Sequence, residues 1–469
     1  MPLIPQHPLN YRMKRRTLFS GLLVLAALPS HSQQPQPVYL PYSEQQAKVE
    51  QRLWNAPVWK TPYQPTLSDD QKIAGLSKLW AEAKYAFVYF DKVPKLSWDS
   101  LYLATIPKVK AAPTTLAYYQ VLQEMCAQLR DGHTNVSFPK ELRSELRERP
   151  PLRTALVEGK VLITEVRSET LRQQGLAPGQ EIVAVDGTPV HEHARSKAAL
   201  ESASTPQDLE LSIYTSALLA GSASQPVALT LRDAKGRSLQ KTIARSGYTD
   251  KAPERPVMEF QLLPGNVGYV ALNGFDDPNL TKLFADVFPK LSQTNALILD
   301  VRRNGGGNSD IGYDVLSYLT DQPFHTSKWM ARNYVPPFRP WGVPPQWISA
   351  PESPTKPKGG TPYTKPVVVL TSAATFSAAE DFAVAFDAMK RGLIVGEATG
   401  GSTGQPVSFP LPGGGAARIC SKRDTYPDGK EFVGVQPQIV VRPTVRDVRS
   451  GRDTVLEAAL KAVKTQTKR

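Results

Sequence analysis

The chain has 469 residues, 41% hydrophobic and 21% charged; this balance excludes a disordered or fibrous chain, and the length predicts two or three domains. The net charge of +13 drops to +9 without Arg12, Lys14, Arg15 and Arg16. The remaining Lys and Arg are interleaved with acids, which argues against a nucleic-acid-binding stripe.

Those four cations precede an apolar run, Leu18 to Leu28, and small residues at Ser30 and Ser32. The pattern predicts a signal peptide over 1–33, with Met13 as an alternative start and Arg15-Arg16 as a loose twin-arginine signal. The run is too short to span a bilayer and no later stretch is apolar enough. A periplasmic or secreted protein without a stable membrane span is expected. Residues 34–65, rich in Pro, Gln and Tyr without periodicity, predict an extended arm. A helical domain is expected over 66–150. It opens with the Ser68/Gln71 capping box before Ile73, Leu76, Leu79, Trp80 and Ala83. A second stripe (Tyr118, Leu122, Met125, Leu129) is expected to stop at Gly132, and "HTNVSF" alternates like a strand.

Over 151–250 short strands and tight turns replace the helices, as in "GKVLITEV" and "QQGLAPGQEIVAVDGTPV". The second phrase resembles a bacterial PDZ domain, a module that adds a peptide as an extra strand. Over 251–445, strands ("NVGYVAL", "ALILDV", "PVVVL", "LIVGEA") alternate with helices ("NSDIGYDVLSYL", "SAAEDFAVAFDAMK"), which predicts an α/β layer with buried strands. A long loop from Gln322 to Lys365 carries Phe338, Trp341 and Trp347; it is expected either to cover a groove or to be pinned by those rings. A helix closes the chain over 446–469.

Ser377 stands between "PVVVL" and "SAAED". It is either the cap of a helix whose N3 residue is Glu380 or a nucleophile, which needs a base and a set of oxyanion donors. Of six histidines, His7 and His31 fall in the leader. His191 and His193 have no third ligand in view, so no metal is expected, and His325 opens the long loop. His133, in "LRDGHTNV", is left as the candidate base. Gly305, Gly306 and Gly307 follow a buried strand without the Lys-Ser/Thr of a phosphate loop, and can present backbone N–H groups to an anion. Cys126 and Cys420 are left open as a pair.

The ordered set "LRDGHTNV", "GLAPGQEIVAVDG", "LILDVRRNGGG", "TFSAAED", "IVGEATGG" and "GVQPQI" resembles the C-terminal processing, or tail-specific, serine peptidases. The resemblance implies an α/β fold: a catalytic core of ββα units (crotonase/ClpP-like) with an N-terminal helical bundle and an inserted PDZ-like β domain. Members with a Ser/Lys dyad carry a lysine where this chain has Ser402. The tricorn-like branch instead uses a histidine, matched by His133, and a glutamate, matched by Glu431. That branch also has a serine before its histidine, where this chain has Gly132. The site so implied has Ser377 as nucleophile, His133 as base, and Glu431 orienting the imidazole, directly or through a hydroxyl. The N–H groups of Ala378 and Gly306 would form the oxyanion hole. No cofactor is expected. The partner is a polypeptide, held in part by the PDZ-like region. The alternative is a non-catalytic peptide- or ligand-binding protein on the same scaffold.

Overall fold

The computed structural model describes residues 43–350, 353–431 and 433–467; the predicted signal peptide lies outside them. The chain divides into two compact units, one ending at Asn55 and the other running from Ala56 to the C-terminus. The described part of the first unit is the helix Glu44–Trp54. This corrects the expectation of an extended arm over 34–65. Ser43 accepts from the Gln46 N–H at 3.2 Å, and the Gln46 side chain takes the Ser43 N–H at 2.9 Å. Local capping therefore overrides the flanking prolines.

The second unit opens with helices Asp69–Ala86, Trp98–Ala111 and Thr115–Ala127. Ser68 and Gln71 cap the first reciprocally, as the spacing predicts. The third stops before the expected Gly132: Arg130 takes a positive φ of 51° and the chain turns there. Gly132 is needed for another reason. A Cβ on it would meet an Asp208 carboxylate oxygen at 2.8 Å and the Phe376 ring at 3.0 Å.

After the turn, Asn135–Ser137 pairs antiparallel with Ala416–Cys420 in register Asn135↔Arg418, which ties the helical segment to the end of the chain. Tyr119 strengthens the joint from the helix side. Its buried hydroxyl donates to the Pro412 carbonyl at 2.8 Å and accepts from the Gly415 N–H at 2.9 Å. Tyr119→Phe strands both groups and should cost about 1–3 kcal/mol; a urea-unfolding midpoint close to wild type would count against this account.

A separate six-stranded sheet follows, in the order Leu152–Val157, Lys160–Val166, Glu181–Val185, Val227–Arg232, Ser238–Ile243, with the short Thr188–Pro189 pairing off the third. Val161, Ile163, Ile182, Leu229 and Leu231 alternate into a hydrophobic core of its own.

The other six-stranded sheet is mixed α/β in its packing. Its order is Ile439–Val440, Leu393–Gly396, Val367–Thr371, Ala296–Asp300, Val267–Leu272, Met258–Leu263; all neighbours are parallel except the last pair. Ala296–Asp300 and Val367–Thr371 are buried at every position, because helices cover both faces. Leu297, Leu299, Val367 and Val369 face Phe382 and Phe386 of helix Ala378–Ala388. The alternate set, Ile298, Val368, Leu370 and Val395, faces Val455, Ala459 and Val463 of the terminal helix Thr454–Thr467. The stretch read as a long loop also holds structure: a hairpin of Lys328–Asn333 with Gln346–Ile348, whose first strand pairs with Arg423–Thr425. Trp341 remains 73% exposed. Cys126 and Cys420 are both buried and free.

Candidate active site

In a parallel sheet the loops after neighbouring strands leave from one edge, where ligands are commonly bound. Here three such loops meet. Gly305–Gly307 follows Ala296–Asp300, Ser377 follows Val367–Thr371, and the loop 397–402 follows Leu393–Gly396. His133 reaches the same place from outside the sheet, just before the strand that pairs with Ala416–Cys420.

Ser377 sits on a sharp strand-to-helix turn with φ 56° and ψ −126°, a backbone state that costs a non-glycine residue about 1–3 kcal/mol and collects at functional sites. The turn brings Oγ to the imidazole. It lies 3.0 Å from His133 Nε2. The helix end is served by the Ser377 carbonyl, which accepts the Glu380 N–H at 2.7 Å, and by the Glu380 carboxylate, which accepts the Ser377 N–H at 3.3 Å.

His133 is 3% exposed and stacks on Phe376, with ring centroids 4.9 Å apart. Its Nδ1 is 2.9 Å from Ser402 Oγ. When Nδ1 carries the proton and donates to Ser402, Nε2 is free to accept from Ser377. Burial pushes the imidazole pKa down to about 3, with Arg418 and then Lys422 adding to the shift.

Glu431 is not brought to the imidazole. Its carboxylate is 46% exposed and is held by Arg423 at 2.8 Å and Lys92 at 3.0 Å. Burial alone would raise its pKa, but these two cations outweigh it and hold the group below the ordinary range. Gly132 has no side chain to orient the imidazole, and the hydroxyl that meets Nδ1 is that of Ser402.

Glu380 organises the loop that carries Ser402, beyond the cap visible in the sequence. Fully buried, it accepts from Thr399 Oγ1 at 2.5 Å, the Gly401 N–H at 2.6 Å and the Ser402 N–H at 2.8 Å, besides Ser377. Burial raises its pKa to about 7 against these donors. Its place at N3 after the serine was the one available signal, and it reads equally well as a cap.

The two candidate oxyanion donors differ. The Ala378 N–H, at the first position of its helix, has no partner among the described residues. The Gly306 N–H donates to Asn304 Oδ1 at 2.9 Å. Gly306 still lies hard against the serine: with φ 104°, a Cβ there would fall 2.6 Å from Ser377 Cβ, so only glycine fits. His191 and His193 are engaged separately, with Tyr214 Oη and the Leu218 carbonyl.

Residues 266–441, which hold the parallel strands and Ser377, match peptidase family S41. Over this segment the chain is similar to the family S41 serine peptidases. Across its wider length it is 27% identical over 379 residues to the C-terminal processing peptidase, chloroplastic, of Tetradesmus obliquus, covering 74% of this chain and 73% of that one. The carboxy-terminal-processing protease of Bartonella bacilliformis is 25% identical over 50% of this chain and 51% of its own. Mature CPAF complexed with lactacystin shares the fold, with a TM-score of 0.67 at 18% identity over 85% of this chain and 99% of that chain. The matched segment begins with the strand Val267–Leu272 and ends at Ile439–Val440, so Ser377, Gly306, Glu380 and Ser402 lie inside it and His133 outside. Its partner is a polypeptide. No described helix is long and apolar enough to cross a membrane.

Proposed function

We propose that the protein is a secreted or periplasmic serine endopeptidase that cuts unfolded or C-terminal protein segments with a Ser377/His133 pair oriented by Ser402. The observation that carries this reading is the hydrogen-bonded line Ser377 Oγ, His133 Nε2, His133 Nδ1, Ser402 Oγ, at 3.0 and 2.9 Å. Ser377 Oγ attacks the scissile carbonyl carbon while Nε2 takes its proton. The carbonyl oxygen becomes an oxyanion facing the Ala378 N–H at a helix N-terminus, where the dipole favours negative charge. Gly306 adds its N–H as the peptide oxygen competes with Asn304 Oδ1. Collapse of the tetrahedral species returns the proton from Nε2 to the leaving amine, and water then resolves the acyl-enzyme by the same steps in reverse order.

The 251–445 region is read as a core of ββα units, 66–150 as a helical bundle, and the separate sheet within 151–250 as a PDZ-like module that offers an edge to an extended peptide. The names of the Tetradesmus obliquus and Bartonella bacilliformis relatives support a preference for C-terminal segments.

A fluorophosphonate probe should label the protein at Ser377 at neutral pH, with labelling lost on prior denaturation. No adduct at high protein concentration would favour the non-catalytic binder on the same scaffold.

A further inference from the structure

A cavity of about 810 Å³ opens beside the catalytic pair, with Gly132 and Phe376 in its wall. These are the chain neighbours of His133 and Ser377, and the Phe376 ring stacks on the imidazole, so whatever fills the cavity lies against the reacting groups. Four cations line it, Arg147, Arg149, Lys197 and Arg418, against two acids, Glu201 and Asp208. None of the four makes an ion pair within 4 Å among the described residues, although ion pairs are frequent elsewhere in the chain.

Arg418 stands nearest the chemistry. It comes from the strand paired with Asn135–Ser137, and its guanidinium is spent on neutral acceptors, Asn135 Oδ1 at 3.2 Å and the Gly132 carbonyl at 3.4 Å. Buried Asp131 lies close enough to influence it, yet the Asp131 oxygens are taken by Thr134 Oγ1 at 2.6 Å and Ser204 Oγ at 3.3 Å. A half-buried guanidinium with no carboxylate in direct contact gains when an anion arrives to pair with it. Its planar fork suits a carboxylate in particular.

We propose that this cavity is a substrate subsite for a carboxylate, either an acidic side chain or the free C-terminus of the peptide, received by Arg418 with Arg147, Arg149 and Lys197 supplying the surrounding positive field. The proposal rests on the reading of Ser377 as the nucleophile, because that reading makes the cavity part of a peptide path. The bound anion also offsets the guanidinium closest to the imidazole.

Binding to the Ser377→Ala protein tests the subsite without turnover. Uncharged fluorescent decapeptides carrying one Glu, scanned along the sequence, are compared by anisotropy with their Gln counterparts, each made with an acid and an amide C-terminus. A Glu in one register, or the free acid, should bind about 10- to 100-fold more tightly than its neutral match; the Glu/Gln and acid/amide arms tell the two sources apart. Arg418→Gln in the same background should abolish the preference. Arg147→Gln/Arg149→Gln, on exposed side chains that hold no strand pairing, should reduce it without risk to the fold. Equal affinities across every pair, no binding of any peptide at millimolar concentration, or a preference unchanged in both variants would overturn the subsite. Since Ser377→Ala cannot cut, such a failure leaves the fluorophosphonate result on Ser377 standing by itself.

Discussion

Ser377→Ala and His133→Ala each reduce kcat/KM on an unstructured peptide by about 10⁴- to 10⁶-fold, the scale set by hydroxyl–imidazole machinery acting as a unit. The fold should survive the first change, since alanine leaves the Ser377 carbonyl and the Glu380 carboxylate serving the helix end. His133→Ala also removes a buried ring stacked on Phe376, so its urea midpoint is expected to fall modestly while its activity vanishes. An active His133→Ala protein would end the base assignment.

The pH profile carries the same argument. Before the environment of the imidazole is known, activity is expected to rise through about 6.5, the reference histidine value. Burial, Arg418 and Lys422 move that pKa to about 3, so the base is already neutral throughout the working range. No limb near 6.5 should belong to His133, and its protonation should enter only as pH falls toward 3. A neutral, weakly basic imidazole is secure against protonation but drives proton transfer less strongly, so the oxyanion donors must supply more of the rate.

Much of this was legible from local patterns. The Ser68/Gln71 cap, the apolar runs of the parallel strands and the glycines after "ALILDV" are signals written within a few residues, and each sits where its period or turn chemistry places it. The helix inside the predicted arm was missed because its cap, Ser43 with Gln46, is flanked by prolines that dominate the composition. Glu431 illustrates the harder failure. The resemblance implied that it orients the imidazole, but two nearby cations, Arg423 and Lys92, hold the carboxylate at the surface, and no pattern in the sequence encodes that competition. Ser402 was visible as the place of an absent lysine. That its hydroxyl meets an imidazole some 269 positions earlier in the chain depends on one strand pairing, Asn135–Ser137 with Ala416–Cys420, too short to read in advance.

The second large effect falls on Ser402 and the carboxylate behind it. Ser402→Ala leaves the buried Nδ1–H of His133 without an acceptor, at a cost of about 1–3 kcal/mol, which corresponds to about a 10- to 100-fold loss of kcat. The tautomer that presents a bare Nε2 to the nucleophile is then no longer favoured. Glu380→Gln strikes the same loop from below. The ionised carboxylate accepts from Thr399, Gly401, Ser402 and Ser377 together; once protonated, its O–H faces amide donors or the Thr399 hydroxyl, which must then turn its own proton away, and the fourfold acceptance is lost. With its pKa raised to about 7, kcat should rise with pH through about 7, and this limb should vanish in Glu380→Gln along with most of the activity.

Stability should move the other way. A carboxyl whose folded pKa is above its unfolded value, about 4.3, favours the fold most below that value and loses the contribution as pH rises through 7. Urea midpoints should therefore decline from pH 5 to pH 8 as activity climbs, and Glu380→Gln should flatten the decline. Asp208, also raised to about 7 by burial, adds a decline of the same sign that Glu380→Gln leaves in place. A decline no flatter in Glu380→Gln than in the wild type, with no activity limb near 7, would mean that Glu380 is already ionised below this range, its four donors outweighing its burial.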